Sequence, residues 1–398
     1  MDDNSKNGAR KPSQETVLTH TGRHTDHQFG FVNTPVYRGS TVIFRTLDEL
    51  ESTAPRYDYG RTGNPSGRAV EDVVSALEGA TGTALAPSGL AAISVALLSQ
   101  LRAGDHLLVT DSAYQPTRRV ANGVLKRVGI ETDYYDPRIG AGIERLFTAR
   151  TRAIWVESPG SLTFEVQDLP AIVAAAAPRG IAVLVDNSWA TPLNHRPLEM
   201  GADIVVHAGT KMFVGHSDAM FGTVSANART WKAVRDTHLQ LGICASPDDA
   251  FLAARGLRTL AIRMREHGER STALAQWLEQ QEGVSQVYHP ALPSHPDHAL
   301  YLRDFSGAGS IFGVRLGPAP RAALAAMLDG LQLFGMGWSW GGYESLILPV
   351  HPERMRTAVA WTTPGNMLRI HVGLEGVEDL KSDLAAGLER YRAANPEH

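Results

Sequence analysis

Hydrophobic and polar positions along this 398-residue chain fall into two regimes. Between residues 60 and 224, short apolar runs recur: HLLV at 106–109, AIWV at 153–156, AVLV at 182–185 and IVV at 204–206. Between them lie helical stretches, as at 70–77 and 170–176. Apolar runs alternating with helical stretches predict strands buried on both faces of a mostly parallel sheet. The expected fold class is therefore α/β. In such sheets a ligand sits beyond the carboxyl ends of the strands, where loops carry the chemistry.

After about residue 256 the pattern changes. A helical stretch at 261–281 is followed by the proline-rich loop HPALPSHPDH, a strand at 310–316 and a helix at 320–331. A strand at 367–372 and an amphipathic helix at 377–393 close the chain, which predicts a smaller α+β unit. The expected organisation is a tail and arm over 1–59, a large domain over 60–255 and a small domain over 256–398. No internal repeat is apparent.

Composition narrows the function classes. Apolar residues make up 43% and charged residues 20%, enough to bury a full core. A formal net charge of −4 offers no basic surplus, so neither nucleic acid nor an anionic membrane is an expected partner. One cysteine, Cys244, excludes an internal disulfide framework, and a zinc site is not expected. The apolar stretch at 169–185 is interrupted by Pro178 and Arg179, and no segment reaches the length of a membrane span. The opening MDDNSKNGARKPSQE is polar and lacks the apolar core of a signal peptide, so it reads as a frayed tail. A soluble, cytoplasmic chain is expected.

Lysine is scarce, and its placement is informative. Lys6 and Lys11 fall in the polar opening; Lys126, Lys232 and Lys381 lie on helical stretches. Only Lys211, in VVHAGTKMFVGHSDAMFG (205–222), follows an apolar strand at the ligand-binding end of a sheet. Most lysines are solvated, and a loop lysine is one reading. The other is an amine made nucleophilic by partial desolvation, as a Schiff base requires. One strand earlier, VLVDNSWATP places Asp186 at the end of an apolar run, where a carboxylate is costly unless a cation meets it. A protonated pyridine nitrogen would be such a cation, and pyridoxal phosphate needs an acidic partner there. Alone, Asp186 reads better as a helix N-cap or loop acid.

An anion site is also in view. APSGLAAISVALL (86–98) reads as a turn opening onto a helix, with the backbone N–H groups of Gly89 and Leu90 free to meet a phosphate. Thr210 offers a hydroxyl nearby. A glycine-rich loop, YDYGRTGNPSGR (57–68), carries Tyr59 and Arg61 and reads either as a second anion site or as a surface turn. His207 and His216 have no assigned task.

The run DNSWATPLNHRPLEMGADIVVHAGTKMFVGHSDAMFGTV (186–224) resembles the signature of the Cys/Met-metabolism family of pyridoxal-phosphate enzymes, and the likeness extends from about residue 30 to the C-terminus. It implies the aspartate-aminotransferase-like architecture (PLP fold type I): a seven-stranded-type large sheet domain and a smaller α+β C-terminal domain. It implies pyridoxal 5'-phosphate as cofactor, with Lys211 as its Schiff-base lysine, Asp186 at the ring nitrogen and Tyr114 stacked on the ring near the substrate. Gly89, Leu90 and Thr210 match phosphate contacts. Tyr59 and Arg61 match a pair reaching a neighbouring subunit's phosphate, Tyr59 also lying near substrate. Arg369, in MLRIHVGLE, matches the clamp for an amino-acid substrate's carboxylate, with Ser339 and Trp340 beside it. A homotetramer, as a dimer of dimers with shared sites, is the implied assembly.

Three stretches, ESPGSLTFEV (157–166), TDSAYQPT (110–117) and SWGGYESLIL (339–348), resemble the β-eliminating branch, which cleaves L-cystathionine to homocysteine, pyruvate and ammonia. Members of the γ-type branch usually carry glutamate just before the serine of the third stretch, where this chain has Trp338. Two departures stand out. Ala208 replaces a usual serine, and RTGNPSG (61–67) resembles a γ-type pattern. Open alternatives are a γ-type enzyme, a broader cysteine-conjugate β-lyase and a non-catalytic regulator on the same fold.

Overall fold

The structure, a computed structural model, describes residues 11–52 and 57–395. Its larger sheet comprises β1 (Gly82–Ala86), β2 (His106–Thr110), β3 (Glu131–Tyr135), β4 (Thr151–Glu157), β5 (Ala182–Asp186), β6 (Ile204–His207) and β7 (Gly222–Ala226). They lie in the order β1-β7-β6-β5-β4-β2-β3. β2 pairs parallel with β3 and β4, β4 with β5, and β5 with β6; β7 alone runs antiparallel to its neighbours, β1 and β6. The expected seven-stranded, mostly parallel sheet is present.

Alternation along each strand divides the core between two faces. Leu107, Val109, Ala153, Trp155 and Leu184 pack on one side, against Ile93, Ala96 and Leu97 of the helix Gly89–Gln100. Leu108, Ile154, Val156, Val183 and Val185 pack on the other, against Leu169, Ile172 and Ala176 of the helix Leu169–Ala176. With both faces covered, polar groups at this sheet's centre are confined to the strand ends. There stand Glu157, Asp186 and His207, the last residues of β4, β5 and β6.

The smaller sheet comprises β8 (Val284–Tyr288), β9 (Ile311–Leu316), β10 (Leu346–Val350) and β11 (Asn366–His371), antiparallel in the order β10-β11-β9-β8. Leu368 and Ile370 of β11 face a core closed by the helices Leu260–Leu278 and Val377–Ala393. By the same alternation Arg369 and His371 face the other way. Polar ties join the two sheets' surroundings. Trp189 Nε1–H donates to the Ile311 carbonyl at 2.9 Å. The buried Asp111, just past β2, accepts the N–H groups of Thr357, Ala358 and Val359 at 2.9–3.0 Å.

Part of the expected frayed tail is folded. Residues 1–10 lie outside the described residues, but Gln14–His20 is a helix whose N-cap, Ser13, accepts the Thr16 N–H. Leu18 anchors it in the core formed by Val70, Val73, Leu77 and Leu257. Burying one leucine contributes about 1.5–3 kcal/mol, enough to hold a two-turn helix that is marginal alone. The helix expected over 320–331 is shorter, Arg321–Leu328. Among the described residues no helix is long and apolar enough to cross a membrane.

Candidate active site

Lys211 lies in the turns between β6 and β7, four residues past the end of β6. Burial and the Arg369 guanidinium lower its amine from the usual 10.5 to about 8, against the opposing pull of Asp186. Nζ donates to Ser339 Oγ at 2.7 Å and stands 5.5 Å from the centroid of the Trp340 indole. The segment before β10 that carries Ser339 therefore meets a lysine held just past the end of β6. Gly341 lies against the Lys211 backbone so closely that a Cβ there would fall 2.9 Å from Lys211 Cα.

Asp186 is nearly fully buried. Its Oδ1 accepts the Ser188 N–H at 3.0 Å and the Ser188 hydroxyl at 2.6 Å, and Ser188 Oγ accepts the Ala208 N–H at 2.7 Å. No hydrogen bond from the described residues reaches Oδ2. Burial raises the Asp186 carboxyl, while Ser188, His207 and Lys211 oppose the rise. Its register partner on β4 is Glu157, which burial and the Asp186 charge push well above the ordinary carboxylate range. Glu157 Oε2 accepts the Tyr114 N–H at 2.8 Å, fixing the backbone that carries the Tyr114 ring. Burial, together with Glu157, also raises the Tyr114 phenol.

The helix Gly89–Gln100 opens beside this group. Its N-cap, Ser88, accepts the Ala91 N–H, whereas no acceptor among the described residues meets the N–H of Gly89 or Leu90. A Cβ at Gly89 would come within 2.7 Å of the Ala208 methyl, so glycine permits this approach. The Thr210 hydroxyl is engaged locally, donating to the Phe221 carbonyl at 3.1 Å and accepting the Phe221 N–H at 2.9 Å. Arg369 has no ion pair among the described residues. Its Nη2 touches only the carbonyls of Gly337, Trp338 and Ser339, at 3.4, 3.1 and 3.3 Å, and burial lowers it to about 10. A desolvated guanidinium framed by neutral carbonyls suits a carboxylate from outside.

Tyr59 and Arg61 stand apart. Tyr59 is exposed, Arg61 lies 5.8 Å from its ring centroid, and Arg61 Nη1 donates to the Leu239 carbonyl at 3.1 Å. Among the described residues no hydrogen bond or ion pair joins either to Lys211, Asp186 or Arg369.

A half-buried amine, a buried acid with a free oxygen and two unmet helix N–H groups are what a pyridoxal ring with a phosphate arm requires. The comparison with known proteins agrees: residues 15–389 match the family described as Cys/Met metabolism PLP-dependent enzyme. The chain belongs to that family. A Rhizobium johnstonii relative, provisionally named a cystathionine beta-lyase, is 48% identical over 376 residues, 94% of this chain and 95% of the relative. Cystathionine beta-lyase of Haemophilus influenzae is 40% identical over 386 residues, 94% of this chain and 98% of that protein. Among solved structures, cystathionine gamma synthase from Xanthomonas oryzae pv. oryzae, in complex with aminoacrylate and cysteine, matches with a TM-score of 0.89 at 34% identity. That match covers 97% of this chain and 100% of the synthase.

As a family member the protein is a PLP-dependent enzyme of fold type I. The residues present fit the cofactor: Asp186 Oδ2 is free for the ring nitrogen, Gly89 and Leu90 for the phosphate, and Lys211 for the aldehyde. Two polar neighbours escaped the sequence reading. Ser188 orients Asp186, and its signal was the DNS triplet in which the chain turns back after β5. Glu157 had a plainer signal, since AIWVE and AVLVD both end an apolar strand in an acid.

Proposed function

We propose that this enzyme cleaves L-cystathionine by β-elimination, consuming one water and releasing homocysteine, pyruvate and ammonia, a carbon–sulfur lyase step of methionine biosynthesis in the cytoplasm. The observation that carries this reading is the pairing of Lys211 with Ser339 while the preceding position holds the exposed indole of Trp338 rather than a carboxylate. An acid there would serve proton traffic at Cβ and Cγ in γ-type chemistry; an indole cannot. The named cystathionine beta-lyase relative supports it.

Arg369 receives the substrate α-carboxylate in a bidentate pair, displacing its weak carbonyl contacts, with Ser339 and Trp340 alongside. Bound PLP supplies an electron sink for the negative charge that develops at Cα. The Lys211 amine, neutral above about pH 8, takes the Cα proton. It is held beside the reacting carbon, so little orientation entropy remains to be lost. Asp186 keeps a cationic ring nitrogen paired inside a buried site. Sulfur leaves from Cβ with a proton from the Lys211 ammonium or from the Tyr114 hydroxyl, which burial keeps protonated. The three-carbon fragment then hydrolyses to pyruvate and ammonia.

The γ-type reading draws on RTGNPSG and on the Xanthomonas synthase. Products decide between them. Incubation with cystathionine is expected to yield pyruvate and homocysteine; 2-oxobutyrate and cysteine would overturn the β-elimination reading. Borohydride reduction of the PLP-loaded protein is expected to fix the cofactor to the peptide spanning Lys211. Label on any other peptide would overturn the site.

A further inference from the structure

We infer that His371 is a positioning residue for this site: its imidazole holds the segment 337–342 where Ser339 meets Lys211 and the carbonyls frame Arg369. The inference rests on the roles just proposed for Lys211, Ser339 and Arg369, and no motif singled it out. His371 lies two residues beyond Arg369, on the same face of β11, and is almost fully buried. Nδ1 is 2.9 Å from Ser310 Oγ; Nε2 is 3.1 Å from the Gly341 nitrogen and 3.2 Å from the Gly342 carbonyl.

Two facts give this contact leverage. Gly341 adopts φ +89° and packs on the Lys211 backbone, so its peptide cannot shift without moving the lysine or the loop. The same short segment also presents Ser339 Oγ to Lys211 Nζ and three carbonyls to Arg369. One ring thus orients both the base and the carboxylate clamp. Burial, His267 and Arg369 keep the imidazole neutral, lowering it to about 3 against the support of Gly342 and Ser310. A neutral ring carries one proton. With that proton on Nδ1, donated to Ser310 Oγ, Nε2 accepts the Gly341 N–H. The other tautomer would donate to the Gly342 carbonyl and leave a buried N–H unmet, which is the costlier arrangement.

The test uses holoenzyme carrying His371→Leu, His371→Gln, Ser339→Ala and the His371→Leu/Ser339→Ala pair. Loss of the acceptor should lower kcat/KM for cystathionine about 10- to 100-fold in His371→Leu, mostly through KM. In His371→Gln the amide oxygen can take the Gly341 N–H, and kcat/KM should stay within about 3-fold of the parent. The double variant should be no worse than the weaker single one, because both losses act through one segment. Bound-cofactor absorbance should be unchanged throughout, whereas the melting temperature should fall in His371→Leu, which strands the buried Gly341 N–H, and hold in His371→Gln. A His371→Leu enzyme like the parent, a His371→Gln enzyme as weak as His371→Leu, or additive losses would each overturn the inference. If His371→Leu fails to fold, His371→Asn, whose amide is too short to reach Gly341, replaces it with the same expectations. Glycine affinity, read from the visible spectrum of the bound cofactor, repeats the comparison without turnover. A parent that binds glycine but makes no pyruvate would refute the proposed reaction and leave the His371 comparison intact.

Discussion

At the scale of single residues, the site depends on which buried groups are charged. An amine titrating at about 8 is about one-tenth neutral at pH 7, against about 1 in 3,000 at the usual 10.5. Most of the gain in nucleophilicity therefore comes from desolvation and the nearby Arg369. Lowered amine values mean that the neutral form appears earlier as pH rises. Acylating reagent applied to cofactor-free protein across a pH series should label Lys211 half-maximally near pH 8; a midpoint near 10.5 would remove the physical basis for this lysine as base. Lys211→Arg should lower kcat by at least about 100-fold, the usual worth of a positioned base. Glu157 and Asp186, side by side on β4 and β5, titrate as a pair. The two Ser188 donors favour ionised Asp186, so the shared proton resides on Glu157.

Among elements, strand ends and the loops that meet them decide the geometry. Asp111, one residue past β2 and three before Tyr114, accepts four hydrogen-bond donors from Thr357, Ala358 and Val359 and pairs with Arg118 at 2.9 Å. Burial would raise its carboxyl, but the Val359 and Thr357 donors and Arg118 outweigh burial and lower it below the usual 3.8. A lowered carboxyl contributes stability that is present above pH about 4 and lost as pH falls through the folded value. Asp111→Ala strands Arg118 and several buried N–H groups, and should destabilise by about 3–5 kcal/mol in urea unfolding. A loss under 1 kcal/mol would show that the 357–359 loop is held by other contacts. These ties also mark the limit of what the chain pattern reveals. The apolar runs of β2, β4, β5 and β6 were legible because burial on both faces confines polar residues to the strand ends. β1, β3 and β7 were not, because GTALA, ETDYY and GTVSA carry polar residues at the sheet's flanks. Lys211 and Asp186 stood out as charges at the ends of apolar strands. His371 did not, since its partners Ser310 and Gly341 are 61 and 30 residues away.

For the molecule as a whole, the N-terminal arm poses the remaining physical question. Phe29 is 98% exposed and Ile43 87%, with Phe31, Val32, Leu47 and Leu50 also exposed on the same arm. A run of uncovered large apolar side chains marks an interaction surface. Tyr59 and Arg61, at the arm's end, do not reach this chain's Lys211 cluster, although the Gly89 and Leu90 N–H groups alone give a phosphate no cationic partner. A second copy docking through the arm as an isologous dimer would bring both residues to its neighbour's site. That arrangement makes a complementation experiment decisive. Lys211→Ala and Arg61→Ala proteins, each expected to be impaired alone, are mixed under conditions of proven subunit exchange. A mixed dimer has one site that lacks both groups and one site that is intact, so random mixing should recover about a quarter of the parent activity, since half the dimers are mixed and half their sites are whole. Activity no higher than the average of the two parents would mean that Arg61 serves the site of its own chain, and the arm's apolar face would then need another occupant.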